Sequence, residues 1–170
     1  MSASAPASPL HRAAPPQGRL AAAFARIPHD LVALVARISL AGTFWLSGQT
    51  KVEGLVLDPI GGEVRLGAPR LSESALDLFR YEYALPLIPP ELAALLAAAA
   101  EHVFPLLLVL GLATRLSAFA LLLMTLVIQL FVYPAAWPTH GVWAAAMLWL
   151  MALGPGALSL DRLLARRRRG

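Results

Sequence analysis

The sequence predicts an all-α membrane protein, a four-transmembrane-helix bundle with one longer outer loop and short interfacial helices. Three observations carry this reading. The 170 residues are 58% hydrophobic and only 14% charged, with a mean hydropathy of +0.67, far from the balance of a soluble domain. Apolar stretches of the ~20 residues that a helix needs to cross hydrocarbon recur along the chain. The link after the third stretch carries no Lys or Arg, whereas the flanks before the first, after the second and after the fourth all do.

Taken in order, residues 1–27 read as a disordered cytoplasmic tail, rich in Ala, Pro and Ser. A transmembrane domain follows over 28–164, with spans at about 31–47, 90–112, 116–133 and 140–153, and a basic cytoplasmic tail closes the chain at 165–170. Pro28 suits the first turn of span one, and Trp45 fits an interfacial aromatic belt. The polar link from 48 to 85 is net acidic, with a short hairpin between Val56 and Leu66 marked by Asp58-Pro59 and Gly61-Gly62. A short surface helix follows in LSESALDLFRYEY, with Ser74 and Asp77 resembling a capping box. Pro89-Pro90-Glu91 opens span two, and Pro105 is expected to kink it. Thr139 is the expected cap of span four, which is short for a crossing; Ser159 is the expected cap of a terminal arginine-rich helix.

Arg12, Arg19 and Arg26 precede span one, Arg115 follows span two, and Arg162 and Arg166 to Arg169 follow span four, whereas the link after span three has no basic residue. The positive-inside rule then places both termini in the cytoplasm and the acidic loop outside. The same placement accounts for the net charge of +4 and the pI of about 10.3, so the expected partner is the lipid bilayer and not nucleic acid. With no cysteine, this chain alone offers no CxxC redox pair, thiolate nucleophile or iron–sulfur ligation.

Arg37 inside span one requires a partner, and the expected one is Glu101, the acidic residue inside another apolar span. Arg37, Ala41, Phe44, Gly48 and Lys51 fall on one stripe of span one at helical spacing. His102 follows Glu101 and points about 100° away from it. A polar pocket near Arg37, Glu101 and His102, with Phe44, Gly48, Lys51 and His140 toward the outer end, is the expected ligand site. Its bland counterpart is an ion pair that only locks two helices together. Gln129 reads as an interhelical hydrogen bond. No catalytic triad, phosphate loop or metal-ligand spacing is visible, so no metal and no catalytic residue is expected. The small-residue run from Ala93 to Ala100 permits a homo-oligomer.

Together, Arg37, Ala41-Gly42, Phe44, Gly48 and Lys51, then Pro89-Pro90 leading to Glu101, then Gly111 with Thr114-Arg115, and finally Gly154-Pro155-Gly156 with Ser159-Leu160-Asp161, resemble the DoxX family over residues 31–164. The resemblance implies a four-helix protein of the bacterial inner membrane. It also implies a quinone-interacting or redox-complex subunit with a redox protein partner, because the family is named for similarity to a subunit of a thiosulfate:quinone oxidoreductase. The alternative expectation is a non-enzymatic membrane carrier, sensor or scaffold for a small lipophilic molecule or a partner complex.

Overall fold

In the computed structural model, residues 16–58 and 61–168 are described. Most of the expected N-terminal tail, Pro59 and Ile60, and the last two residues lie outside them. Within the tail, Pro16–Phe24 forms an exposed helix, α1, where the composition suggests disorder; its Leu-Ala-Ala-Ala core has high helix propensity and few polar competitors.

Four long helices form a ring. α2 (His29–Gln49) packs on α4 (Pro90–Leu110), α4 on α5 (Thr114–Val127), α5 on α6 (Trp137–Leu153), and α6 closes back on α2. Among the described residues, three stretches are long and apolar enough to cross a membrane: α2, α4, and α5 together with the π-helical turn Ile128–Val132 that extends it. α6 has 17 residues, about 26 Å of helix, slightly less than the roughly 30 Å of hydrocarbon. The interior holds Ala33, Leu40, Ala41, Leu108, Ala118, Leu121, Met147 and Leu150, where the alanines let backbones approach. The outside is equally apolar: Val35, Ile38, Leu95, Leu106, Leu123, Leu126 and Leu148 are all exposed, the inverse of a soluble bundle and the pattern expected against lipid.

The helices are not level. A Cβ on Gly111, at the end of α4, would lie 1.9 Å from Nη1 of Arg37, so that level of α4 meets α2 two turns inside its start. At the opposite end, the first turns of α4 project beyond the end of α2. Each overhang is filled by non-helical chain. Around the α2 overhang runs the segment from Gly154 to Asp161: Asp30 Oδ1 accepts from Ala157 N–H at 2.6 Å, and Gly111 O accepts from Asp161 N–H at 2.9 Å. The Asp161 carboxylate caps α5 by accepting from Ala113 N–H (2.8 Å) and Thr114 N–H (2.9 Å). α7 (Leu160–Arg167) follows, with Ser159 as its N-cap as expected.

The α4 overhang is wrapped by the longer loop. A two-stranded antiparallel hairpin, β1 (Val52–Asp58) and β2 (Glu63–Leu71), is more extensive than the turn signals imply, and adds a strand element to a fold expected to be all-α. α3 (Glu73–Asp77) is capped by Ser72, whose Oγ accepts from Ala75 N–H at 3.2 Å, so the expected Ser74 box is displaced by two residues. A π-helical turn over Leu78–Tyr83 then drops Phe79 onto Ala93 and Ala94. This segment therefore packs onto the bundle through a buried aromatic and does not simply lie along a surface. Thr139 is not the cap of α6, because the helix begins two residues earlier at Trp137, with Pro138 in its first turn.

α4 ends in a Schellman motif: Gly111 at φ 65°, Leu112 N–H donating to Leu107 O (2.9 Å) and Gly111 N–H to Leu108 O (3.1 Å). The left-handed turn and the contact with Arg37 and Ser159 both demand glycine there. Gly111→Ala is expected to cost about 2 kcal/mol or more, read as a lowered thermal midpoint in detergent, whereas Gly42→Ala, with nothing within 4 Å of its Cβ, leaves the midpoint unchanged.

Candidate ligand cavity

The two buried charges of the sequence reading do not meet. Arg37, 1% exposed, donates from Nη2 to Leu158 O at 2.7 Å, and its Nε and Nη1 have no hydrogen-bond partner among the described residues. Glu101, 3% exposed, pairs instead with Lys51, fourteen positions after Arg37 and just past the end of α2. The expected Arg37–Glu101 pair is thus corrected to Lys51–Glu101. The reason is the stagger: levelling the helices at their ends puts Arg37 opposite Glu101, whereas the true register puts Arg37 opposite Gly111 and the end of α2 opposite Glu101.

The Lys51–Glu101 centre is tightly made. Lys51 Nζ donates to Glu101 Oε1 (3.1 Å), Ser47 Oγ (3.1 Å) and Ser47 O (3.2 Å). Ser47 Oγ donates in turn to Glu101 Oε1 at 3.0 Å. Glu101 Oε2 lies 2.8 Å from Nζ but off the hydrogen-bonding direction, and keeps no hydrogen bond of its own. The ammonium also sits at the carbonyl end of α2, the favourable end of the dipole for a cation.

Above this centre the α4 overhang encloses a cavity of about 370 Å³. α4 contributes Ala93, Ala97 and Ala100, whose small side chains open the space; α2 contributes Thr43, Phe44 and Ser47. Met124, Val127 and Ile128 of the α5 side and His140 and Trp143 of α6 form the far wall. Phe79, Tyr83 and Tyr133 cover the hairpin end. The Tyr133 hydroxyl donates to Glu82 Oε1 at 2.5 Å, and its ring meets that of Tyr83 edge-on at 5.7 Å. The hydrogen bond to Glu82 pushes Tyr133 well above the ordinary phenol range, and burial pushes Tyr83 up, so both stay protonated. Most of the lining is apolar, with the ion pair at one side: a shape and polarity suited to a lipophilic molecule with a polar head.

Of the expected site residues, the fold gathers Phe44, Lys51, Glu101 and His140 around this cavity. Gly48 serves closeness instead, since a Cβ there would lie 2.8 Å from His102 Cε1 and 3.0 Å from Glu101 Cβ. Arg37 belongs to the clasp at the other end. His102 faces away from Glu101, as the helical angle requires: Nδ1 donates to Ala98 O (2.7 Å), and Nε2 accepts from Gln49 Nε2 (2.8 Å). Gln49 Oε1 accepts from Leu57 N–H at 2.8 Å, and Trp45 Nε1 donates to Leu57 O at 2.8 Å, so His102, Gln49 and Trp45 tether the hairpin. Gln129 makes the expected interhelical bond, accepting from His140 Nδ1 at 2.7 Å. Ser47, Tyr83 and Tyr133 escape sequence reading. Ser47 had a signal in its i, i+4 spacing to Lys51; the tyrosines, carried by the loop and the end of α5, had none. Among the described residues no group of three or more His, Asp or Glu side chains is placed to hold a metal.

The ion pair is expected to matter through what its removal exposes. Lys51→Met leaves a buried carboxylate unpaired and is expected to cost about 3–5 kcal/mol of stability, while Lys51→Met with Glu101→Leu recovers most of it, measured as a double-mutant cycle of thermal unfolding in detergent.

A family model, DoxX, matches residues 32–134. No curated protein and no solved structure matches the chain. The matched stretch covers more than half of the sequence and contains Arg37, Lys51 and Glu101, and the chain belongs to the DoxX family.

Proposed function

We propose that this DoxX protein is a membrane subunit that binds a quinone or similar lipophilic molecule in the cavity beside Lys51 and Glu101, alongside a redox partner protein. The observation that carries the reading is an apolar chamber among four helices with a buried, charged hydrogen-bonding centre in its wall. An isoprenoid or alkyl tail suits the leucine, methionine and aromatic lining; a polar ring suits the ion-pair side. Ser47, Lys51 and Glu101 then hold the head group, Phe44 and Trp143 flank it, and His140 is the proton-accepting group nearest to hand. All four long helices cross the bilayer of the bacterial inner membrane, with α6 beginning at the interface and the arginines of α7 on the cytoplasmic lipid surface.

The second reading, a non-enzymatic carrier or sensor of a small lipophilic molecule, is favoured by one feature. Every donor of the Ser47, Lys51 and Glu101 centre is already satisfied within the chain, an arrangement fit for holding a molecule and not for changing it.

Titration of the purified protein with decylubiquinone is expected to quench Trp143, which lines the cavity, and to leave Trp45, bonded to the hairpin, largely unaffected. Trp143→Phe then removes most of the response and Glu101→Gln weakens binding by about tenfold; a wild-type protein with no response refutes the proposal. The topology has its own check, made clean by the absence of native cysteine. Arg65→Cys in the hairpin is expected to react with an impermeant maleimide added to spheroplasts, and Arg166→Cys in α7 only after the membrane is opened.

A further inference from the structure

The hydrogen-bonding groups of the cavity are not evenly divided between donors and acceptors. Lys51 spends its protons on Ser47 O, Ser47 Oγ and Glu101 Oε1, and Ser47 spends its own on Glu101. Thr43 Oγ1 donates to Ser39 O at 3.0 Å. Tyr133 donates to Glu82, and the Tyr83 ring meets that of Tyr133 edge-on.

His140 is different. Gln129 Nε2 donates to Pro134 O at 2.7 Å, and a carbonyl can only accept, which fixes the orientation of the amide. Gln129 Oε1 therefore faces His140 Nδ1, so Nδ1 carries the ring proton and Nε2 the lone pair. The ring is 6% exposed, lines the cavity, and among the described residues makes no hydrogen bond through Nε2. Further lining acceptors are Glu101 Oε2, which makes no hydrogen bond among the described residues but faces Lys51 Nζ at 2.8 Å, and Thr43 Oγ1, which keeps its lone pairs. Against these stands Trp143, whose indole N–H has no acceptor among the described residues.

We infer that the cavity selects a head group that donates a hydrogen bond, a phenol or quinol hydroxyl, over the corresponding carbonyl or ether, and that His140 Nε2 is the atom that reads it. The inference rests on the proposed use of the cavity for a lipophilic ligand and adds the chemical class of its polar end. A hydroxyl donates to Nε2 and can still accept from an indole N–H, whereas a carbonyl or ether oxygen sets its lone pairs against a nitrogen lone pair and leaves both acceptors unserved. Gln129 is a positioning residue: it touches no ligand but keeps the tautomer in which Nε2 accepts. For a redox-active ligand, this favours the reduced form.

The test uses 4-octylphenol and its methyl ether, redox-inert probes in which a methyl group replaces the donated hydrogen, titrated into the full-length protein by calorimetry. The phenol is expected to bind about tenfold more tightly than the ether. His140→Phe abolishes that preference while still binding the ether, which certifies that the altered cavity is folded. His140→Gln, which restores an acceptor, regains part of the preference, and Gln129→Leu reduces it. Equal or tighter binding of the ether to the wild type overturns the inference and leaves the cavity reading standing. A preference that survives in His140→Phe overturns the assignment to His140. Binding of neither probe to the wild type overturns the cavity reading, and this inference with it.

Discussion

A charge in an apolar medium must find its partners within the chain, and most of what distinguishes this bundle from a plain ring of leucines and alanines follows from that requirement. Arg37 and Glu101 are both almost wholly buried, and each is served at a different end of the fold. Glu101 has a hydroxyl from α2 and a cation from just past the end of that helix. Arg37 has no carboxylate within ion-pairing distance among the described residues, and takes instead the carbonyl of Leu158. These are two solutions to one problem, and they need different amounts of chain. The first is complete within two helices and the turn that follows one of them; the second calls on a segment more than a hundred residues away.

The stagger between α2 and α4 links the two. Sliding one helix past the other by two turns leaves unpaired helix at both ends, and each overhang must be covered. The covering near α2 is made of backbone: Gly154 to Asp161 is laid against the helix with its N–H and C=O groups directed at Asp30, Arg37 and Gly111. It closes tightly because Gly111 and Gly156 have no side chains to obstruct it. The covering near α4 is made of side chains on a hairpin, a short helix and a π-helical turn, and meets a run of alanines. Large aromatics over small residues do not close the gap, and the space that remains is the cavity.

Much of the fold was legible because hydropathy and helix punctuation report on single segments. The helix starting with Pro89-Pro90, the cap at Ser159 and the polar residue Gln129 bridging two helices all follow from local rules and are found where those rules put them. The register between helices was not legible, since apolar faces of alanine and leucine pack at many offsets and the sequence marks none of them. The pairing of Arg37 with Glu101 fails for that reason alone. Phe44, Lys51, Glu101 and His140 nonetheless reach one cavity, because the stripe on α2 was read correctly even though its height was not. The hairpin and the tyrosines over the cavity depend on tertiary contacts with α4 and α5 that leave no periodic trace in the loop.

The family match ends at residue 134, which invites the view that everything after it is an appendage. The hydrogen bonds argue otherwise. Without Leu158, Arg37 would have no hydrogen-bond partner at all; without Asp161, the first N–H groups of α5 would lose their cap. Without α6, the wall that carries His140 and Trp143 would be missing and the cavity would open on that side. Breaking a buried charge from its partners costs several kcal/mol, comparable with the whole stability of a small domain. The matched region therefore contains the charges but not everything that makes them tolerable in a membrane, and the folding unit of this protein runs from α2 through α7.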